Sequence, residues 1–524
     1  MQNIFLYDTT LRDGAQQDRI SFSLNDKIAI ARKLDKLGIH YIEGGWPGSN
    51  PKDSDFFREI AKIKLKKARI SAFGSTRRAD RKAGRDVNLK AMLKAETPVV
   101  TIFGKSWILH VEDVLRTTTA ENLRMIEDSI FYLKSRGREV IYDAEHFFAG
   151  YEDNKGYALQ TLLVAAEAGA DWIVLCDTNG GTLPKIISNA VTAVREKIKV
   201  PLGIHTHNDI GMAIANSIVA VEAGCTQVQG TTNGYGERCG NADLIAIIPN
   251  IILKLGLKCI HNGKLEHLSE VSRYISEIAN VVPNDYQPFV GNSAFAHKGG
   301  MHVDAVRKNP RSFEHINPEL VGNRRRVLVS ELSGKGSVLH RAEELGLDPD
   351  KRETRRILKS LKELEGQGYL FEAADASLEL LMKKATGKYK RLFNLESFRV
   401  IIEKREDGRL VSEATLKVRI KGRQEHTVAE GSGPVNALDN ALRKALEKFY
   451  PAISEIHLSD FKVRILDPEE GTKAKTRVFI ESRDHTHTWG TVGVSENIIE
   501  ASWHALVESV EYKLLKDKSN SSVG

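Results

Sequence analysis

Cysteine is scarce in this sequence: four in 524 residues, Cys176, Cys225, Cys239 and Cys259, with no CxxC pair among them. That excludes a disulfide-stapled fold and a paired-cysteine metal or redox motif, and it predicts reduced thiols in a reducing compartment. No apolar run is long enough to cross a bilayer. The opening MQNIFLYDTT has neither a basic segment nor an apolar stretch of signal length, so the expectation is a cytoplasmic protein with no membrane partner. An excess of one charge is also missing, since 76 basic residues stand against 69 acidic ones, a net +7. The basic clusters (Lys62, Lys64, Lys66 and Lys67; Arg77, Arg78, Arg81, Lys82 and Arg85; Arg324, Arg325 and Arg326) are mixed with acids and lack interleaved aromatics. They describe a solvated face rather than a nucleic-acid groove, and the one polyanion such a cluster suits is the phosphate of a cofactor.

What is present is a rhythm. From residue 3 to about 256, short β-rich runs alternate with amphipathic stretches, the pattern of a parallel sheet with crossover helices. Eight strands are expected: Ile4 to Tyr7, Tyr41 to Glu43, Ile70 to Phe73, Val99 to Phe103, Val140 to Tyr142, Trp172 to Leu175, Leu202 to His205 and Gln227 to Gln229. Between the first two, Ile28, Ala31, Leu34 and Leu37 fall on one helical stripe and Gly38 stops the helix. Eight such units predict an α/β fold, a (β/α)8 TIM barrel over residues 1–260. A mostly helical connector follows over 261–390, containing LEHLSEVSRYISEIANVV and TRRILKSLKELEGQG. Residues 391–518 read as an internal duplication, an α+β domain in which FRVIIE, TLKVRI and the helix GPVNALDNALRKALEKF are answered by FKVRIL, TRVFIE and SENIIEASWHALVESVEYK. Residues 519–524 are expected to be a disordered tail.

The barrel's chemistry gathers where strands end. In Gly203-Ile-His-Thr-His-Asn-Asp209, His205 and His207 lie two apart, on one face of strand seven and about 7 Å apart along it. Such a pair can share one ion, with Asp209 as a candidate partner for a ring N–H, but an HxH pair is equally at home as two ordinary barrel histidines. Asp13, just after strand one, supplies a third candidate ligand, because the barrel mouth brings strands one, seven and eight together. The glycine-rich loop Asn233 to Asn241 after strand eight can bend the Asn241 amide oxygen to the same ion, or be only a turn. Carboxylate, imidazole and amide donors suit Zn2+, Mn2+, Co2+ or Mg2+.

The segments DTTLRDGAQ, HTHND and GYGERCGN, in this order, resemble those of the DRE-TIM metallolyases. VGNSAFAHKGGMHVDAV (290–306), LSGKGSV (332–338) and GTKAKTRV (471–478) narrow the resemblance to the 2-isopropylmalate synthase and citramalate synthase branch. LYDTTLRDGAQQ, YIEGGWPGSNPKD, IYDAEHFFAGY and GMHVDAV look most like its citramalate synthase subgroup. The resemblance covers nearly the whole chain. It implies an acyltransferase that joins acetyl-CoA to a metal-chelated 2-oxo acid. With pyruvate the product is (R)-citramalate, on a route to isoleucine; the alternative is 2-oxoisovalerate and 2-isopropylmalate, on a route to leucine. Homocitrate synthase fits less of the chain, an aldolase or acyl-CoA lyase lacks the long connector and tail, and a catalytically silent amino-acid sensor has no need of Arg12, Asp13, His205 and His207.

The resemblance also assigns roles. Arg12 is expected to stabilise the oxyanion on the keto oxygen and to bind substrate, its plain alternative being a surface salt bridge. Glu145 matches the family's catalytic glutamate, with Asp143 on the same face as its rival. Thr178 matches the substrate-carboxylate hydroxyl, although a threonine there could equally cap helix six. His302 lies in a motif whose histidine reaches an active site, often the partner subunit's; the plain alternative is a loop histidine. One departure stands nearby: Phe313 occupies the place of the family's Tyr in Ser312-Phe-Glu-His-Ile316, so no phenol hydroxyl is available there. Phe73, Phe103 and Tyr142 end strands three to five and are expected to fill the space of a branched side chain, favouring pyruvate, or else simply to pack the barrel. The duplicated domain is implied to form a homodimer and to bind an end-product amino acid, isoleucine. The helix starts at Gly433 to Asn436 and Val494 to Asn497 are candidates for its carboxylate, and the alternative is dimerisation alone.

Overall fold

Strands and helices alternate through the first half of the chain. The computed structural model describes residues 3–260, 263–329 and 335–521. Its first strands are β1 (Phe5–Asp8), β2 (Tyr41–Gly45), β3 (Arg69–Ser75), β4 (Val99–Lys105), β5 (Glu139–Glu145), β6 (Trp172–Asp177), β7 (Leu202–Thr206) and β8 (Gln227–Gly230). Neighbours are parallel, and β8 pairs back onto β1, Phe5 opposite Gln227 and Asp8 opposite Gly230, closing the expected eight-stranded barrel. Each strand runs one to three residues further at its C-terminal end than its hydrophobic run suggested. The added residues include Asp8, Lys105, Glu145 and Asp177, polar groups with little strand propensity that the ladder carries into the barrel mouth.

Strand alternation divides these side chains between two cores. Tyr7, Tyr41, Val99, Ile141, Trp172, Val174 and Cys176 fill the barrel interior as one cluster. Their neighbours in sequence, among them Leu6, Ile42, Val100, Ile102, Val140, Tyr142, Ile173 and Leu175, belong to the much larger layer packed against the helices. Each fully buried aliphatic side chain in that layer contributes about 1.5–3 kcal/mol of transfer free energy. The first crossover helix, Leu24–Leu37, begins with a capping box in which the Ser23 hydroxyl accepts from the Asp26 N–H and the Asp26 carboxylate accepts from the Ser23 N–H.

The chain divides into two compact units. The first holds the barrel, continues to Phe295 and regains Ile316–Arg324; the second comprises Ala296–His315 and the chain from Arg325 onward. Residues 261–390 are thus shared between the units. In the second unit, β9 (Ala296–His297) pairs in parallel with β10 (Arg326–Val327), and helices span Gly300–Lys308, Lys335–Glu344, Lys351–Gly366 and Asp375–Ala385. Residues 332–334 of the LSGKGSV motif lie outside the described residues.

Two β-β-β-α repeats complete the second unit. Strands β11 (Phe393–Lys404), β12 (Leu410–Ile420) and β13 (Arg423–Gly431) form an antiparallel sheet followed by helix Pro434–Leu446. Strands β14 (His457–Ile465), β15 (Thr476–Arg483) and β16 (Thr488–Ser495) repeat the arrangement before helix Ile498–Ser521. The duplication extends to an irregularity near the start of each first strand, at Leu395/Ser397 and Leu458/Asp460. Leu416, Val418 and Ile420 of β12 pack with Ala437, Ala441 and Leu442; Val478 and Ile480 of β15 pack with Ala501, Ala505 and Leu506. One expectation is corrected here. Residues 519–521, read as disordered tail, continue the last helix, whose Lys513 pairs with Asp517 one turn on. Residues 522–524 lie outside the described residues. Among the described residues no helix is long and apolar enough to cross a membrane.

Barrel closure leaves no room at the end of β8. A Cβ on Gly230 would lie 2.4 Å from the Ala242 carbonyl oxygen, a backbone atom that cannot swing away. Gly230→Ala is expected to destabilise the barrel by about 1–3 kcal/mol. Urea unfolding of the variant should show a lower midpoint with an unchanged slope.

Candidate metal centre at the barrel mouth

Three ligand-bearing side chains converge above the barrel. Asp13 follows β1 and its N–H is held by the Thr9 hydroxyl at 3.3 Å; His205 projects from β7, and His207 lies just beyond that strand. The His205 and His207 Nε2 atoms are 3.3 Å apart, and they lie 3.5 and 3.8 Å from Asp13 Oδ2. One ligand atom from each residue falls within 4.8 Å of the others, and all three residues are buried. Asn241 arrives through a bridge to His207. Its Nδ2 donates to the Tyr235 carbonyl at 3.3 Å, while its buried Oδ1 has no hydrogen-bond partner among the described residues. The Asn241 side chain also donates to Asp13, so its amide stands next to the carboxylate with the oxygen left unpaired, and a carboxylate and two imidazoles fit a hard or borderline cation. The loop that delivers it depends on Gly240, at φ +88°, where a Cβ would stand 2.0 Å from the Gly234 carbonyl oxygen.

The electrostatics suit a cation. Burial, followed by the neighbouring His205, pulls the His207 pKa down to about 4, and burial also lowers that of His205 despite the Asp13 charge. For Asp13, burial acts to raise the pKa, but Arg12, His205 and His207 outweigh it and the carboxyl titrates below its ordinary value. At neutral pH the cluster is one carboxylate and two neutral imidazoles, the protonation state that metal ligation requires.

Arg12 is not a surface residue. Its Nε is 2.5 Å from Glu43 Oε1, its guanidinium lies 3.8 Å above the Phe73 ring, and Nη1 is 3.5 Å from Asp13 Oδ2. Glu43, fully buried in β2, also accepts from the Tyr7 hydroxyl and, at 2.5 Å, from the Thr9 hydroxyl. Sequence reasoning missed Glu43. The available signal was a carboxylate in the middle of a barrel strand, a position that must be paired to be occupied.

Around this centre lies a cavity of about 220 Å3 lined by Arg12, Phe73, Phe103, Asp143, Glu145 and Thr178, among others. Glu145, at the end of β5, pairs with Lys105 directly across on β4. Asp143 is one layer deeper and accepts from Gln229 Nε2 at 3.0 Å. Burial and then the Glu43 charge raise its pKa well above the ordinary carboxylate value. Thr178 caps no helix; its hydroxyl oxygen accepts from the His146 N–H at 2.9 Å, and helix Pro184–Lys197 starts further on. Phe73 and Phe103 stack at 5.4 Å, and Trp46, also missed from sequence, meets both edge-on at 5.9 and 5.6 Å.

Two expectations change. Tyr142 does not line the cavity: alternation along β5 turns Asp143 and Glu145 inward and Tyr142 outward, fully buried in the helix-facing layer. Asp209 does not support a ligand ring. The strand ends at Thr206, and Asp209 pairs with Arg238 at 2.7 and 3.0 Å, while the His205 Nδ1 contact is Gln229 Oε1 at 3.0 Å. His302 belongs to the second unit, on helix Gly300–Lys308, where its ring stacks on Phe313 with centroids 4.2 Å apart.

Comparison with known proteins gives three family matches. Residues 3–275 match the HMGL-like family, 289–368 the homocitrate synthase post-HMGL domain-like family and 372–514 the LeuA allosteric (dimerisation) domain. The (R)-citramalate synthase of Geobacter sulfurreducens is 57% identical over 521 residues, and that of Aquifex aeolicus 54% over 521, each alignment covering 99% of both chains. The 2-isopropylmalate synthase of Methanocaldococcus jannaschii is 30% identical over 98% of this chain and 95% of its own.

Two variants test the site's outline. His207→Ala is expected to lose bound metal in elemental analysis, together with turnover; wild-type metal content would reject it as a ligand. Tyr142→Phe, which removes only an outward-facing hydroxyl, should leave kcat/KM for the 2-oxo acid substrate unchanged.

Proposed function

Because the chain belongs to the (R)-citramalate synthase branch of the HMGL-like family, we propose that it is an acyltransferase condensing acetyl-CoA with pyruvate and water to (R)-citramalate and free CoA. The observation that carries the site assignment is the buried convergence of Asp13, His205 and His207, with the Asn241 amide hydrogen-bonded to Asp13. Asp13, His205, His207 and Asn241 would hold a divalent cation, Zn2+, Mn2+, Co2+ or Mg2+, which would supply Lewis acidity toward a 2-oxo acid. Arg12, fixed by Glu43, directs a permanent positive charge at the keto oxygen as it becomes an alkoxide. Thr178 is assigned to the substrate carboxylate. Glu145, kept beside Lys105, is the candidate to take a proton from the acetyl methyl group, whose carbanion then forms the new C–C bond. Water cleaves the thioester and CoA leaves as the thiol. The catalytic role expected of His302 rests on its sequence motif alone.

The size of the site supports pyruvate. Phe73, Phe103 and Trp46 wall a cavity of about 220 Å3. Rejection of a single methylene is worth about 1–3 kcal/mol, or about 10–200-fold in kcat/KM, and 2-oxoisovalerate carries two more carbons than pyruvate. Catalysis is assigned to residues 1–260, and dimerisation and effector binding to 391–518. A homodimer is supported by the apolar residues exposed on the outer strands of both repeats, Ile401 and Ile402 on β11 and Leu458, Val463 and Ile465 on β14. We assign isoleucine as its effector. Free thiols on buried Cys176, Cys225 and Cys259 support a reducing, cytoplasmic setting.

Thiol release measured across 2-oxo acids tests the reading. The expected order is pyruvate, then 2-oxobutanoate, then 2-oxoisovalerate, with at least about 10-fold in kcat/KM between the first and last. A higher kcat/KM for 2-oxoisovalerate would make the chain a 2-isopropylmalate synthase. Isoleucine, not leucine, should inhibit turnover, and light scattering should return a dimer.

A further inference from the structure

Gln229 occupies a buried position on β8 between two ionisable neighbours. One end of its amide is 3.0 Å from His205 Nδ1. The other end faces two acceptor oxygens, Asp143 Oδ1 at 3.0 Å and Gln227 Oε1 at 3.5 Å. An amide end facing two oxygens is the NH2 end, so the end facing His205 is the carbonyl, which can only accept. The Nδ1 atom of His205 therefore carries the ring proton, and Nε2, facing Asp13 Oδ2 and His207 Nε2, keeps its lone pair. His207 lacks such support: its Nδ1 is buried with no hydrogen-bond partner among the described residues. The two histidines are therefore unequal, one preset and one free to choose its tautomer.

We propose that Gln229 and Asp143 are positioning residues that fix the tautomer of His205 through a two-bond chain and so aim its Nε2 lone pair at the metal position. The inference rests on the metal-centre reading above and adds two residues to it. Asp143 acts by holding the amide the right way round. Without its oxygen the Gln229 amide can turn over and present NH2 to Nδ1, which favours the Nε2–H tautomer. That tautomer turns its N–H toward Asp13 and cannot bind a cation through Nε2. Asp143 performs this task as a carboxylate, and equally as the neutral acid with its proton on Oδ2, which leaves Oδ1 an acceptor. The arrangement places the control of a ligand on β7 in side chains from β8 and β5, on either side of the barrel interior.

The test uses the full-length protein, with metal affinity measured by chelator competition for Zn2+ and Mn2+, and histidine tautomers in the metal-free form read from two-bond 1H–15N spectra. The His205 signals are identified by their loss in His205→Gln. Wild type should bind metal and show His205 as the Nδ1–H form. Gln229→Leu and Asp143→Leu should each weaken metal binding by about 10–100-fold and shift His205 toward the Nε2–H form. The double variant should be no weaker than the poorer single one, because both act on one chain. Asp143→Asn, which keeps an acceptor oxygen, should restore both readouts. If Gln229→Leu does not fold, Asp143→Leu, one bond further from the ligand, decides. Unchanged affinity with an unmoved tautomer in a folded variant overturns the proposal. Failure of the wild type to bind metal overturns the metal-centre reading itself, and this inference with it.

Discussion

The mouth of the barrel is organised by the buried carboxylate of Glu43. A charge with no exposure to water is tolerated only when its oxygens are occupied by donors, and here Tyr7, Thr9 and Arg12 occupy them. Each of the three is thereby tied down. Thr9 also steadies the backbone N–H of Asp13 through its hydroxyl, and Arg12 is pressed against Phe73. The anion thus orients the cationic side chain, the first metal-ligand candidate and one wall of the cavity together. Removing one partner of such a pair leaves a buried charge uncompensated, at a cost of about 3–5 kcal/mol. The arrangement is rigid for the same reason that it is costly.

The barrel was legible because its signal is periodic: eight β-rich runs separated by amphipathic stretches leave little freedom of topology. The metal triad was legible because the barrel fixes which strand ends meet, so Asp13 and the HxH pair could be joined across nearly two hundred residues. What sequence could not deliver was facing. Tyr142 and Asp143 are adjacent, and a one-residue difference in phase decides which enters the cavity; the apolar ring drew the functional assignment, while the carboxyl has the position. Asp209 failed for a related reason, since the period of two ends where β7 ends, and beyond Thr206 the chain turns toward Arg238. Glu43 and Trp46 lay within a quoted motif, but their value depends on partners from other strands, which no local pattern encodes.

The C-terminal repeats show a different division of labour. Their inner strands alternate cleanly into a core, whereas the first strand of each repeat is largely exposed. A sheet that covers one face with its own helix and leaves an apolar outer strand bare is half of an interface. Duplication presents that half twice in one chain, including the irregularity near the start of each first strand.

The pairing of β8 with β1 carries a consequence for biosynthesis. Asp13 is made more than two hundred residues before Asn241 and the strand that closes the ring. A nascent chain that lacks its eighth strand holds the two histidines and the aspartate without the geometry that joins them. The candidate ligand set is therefore complete only once the barrel has closed.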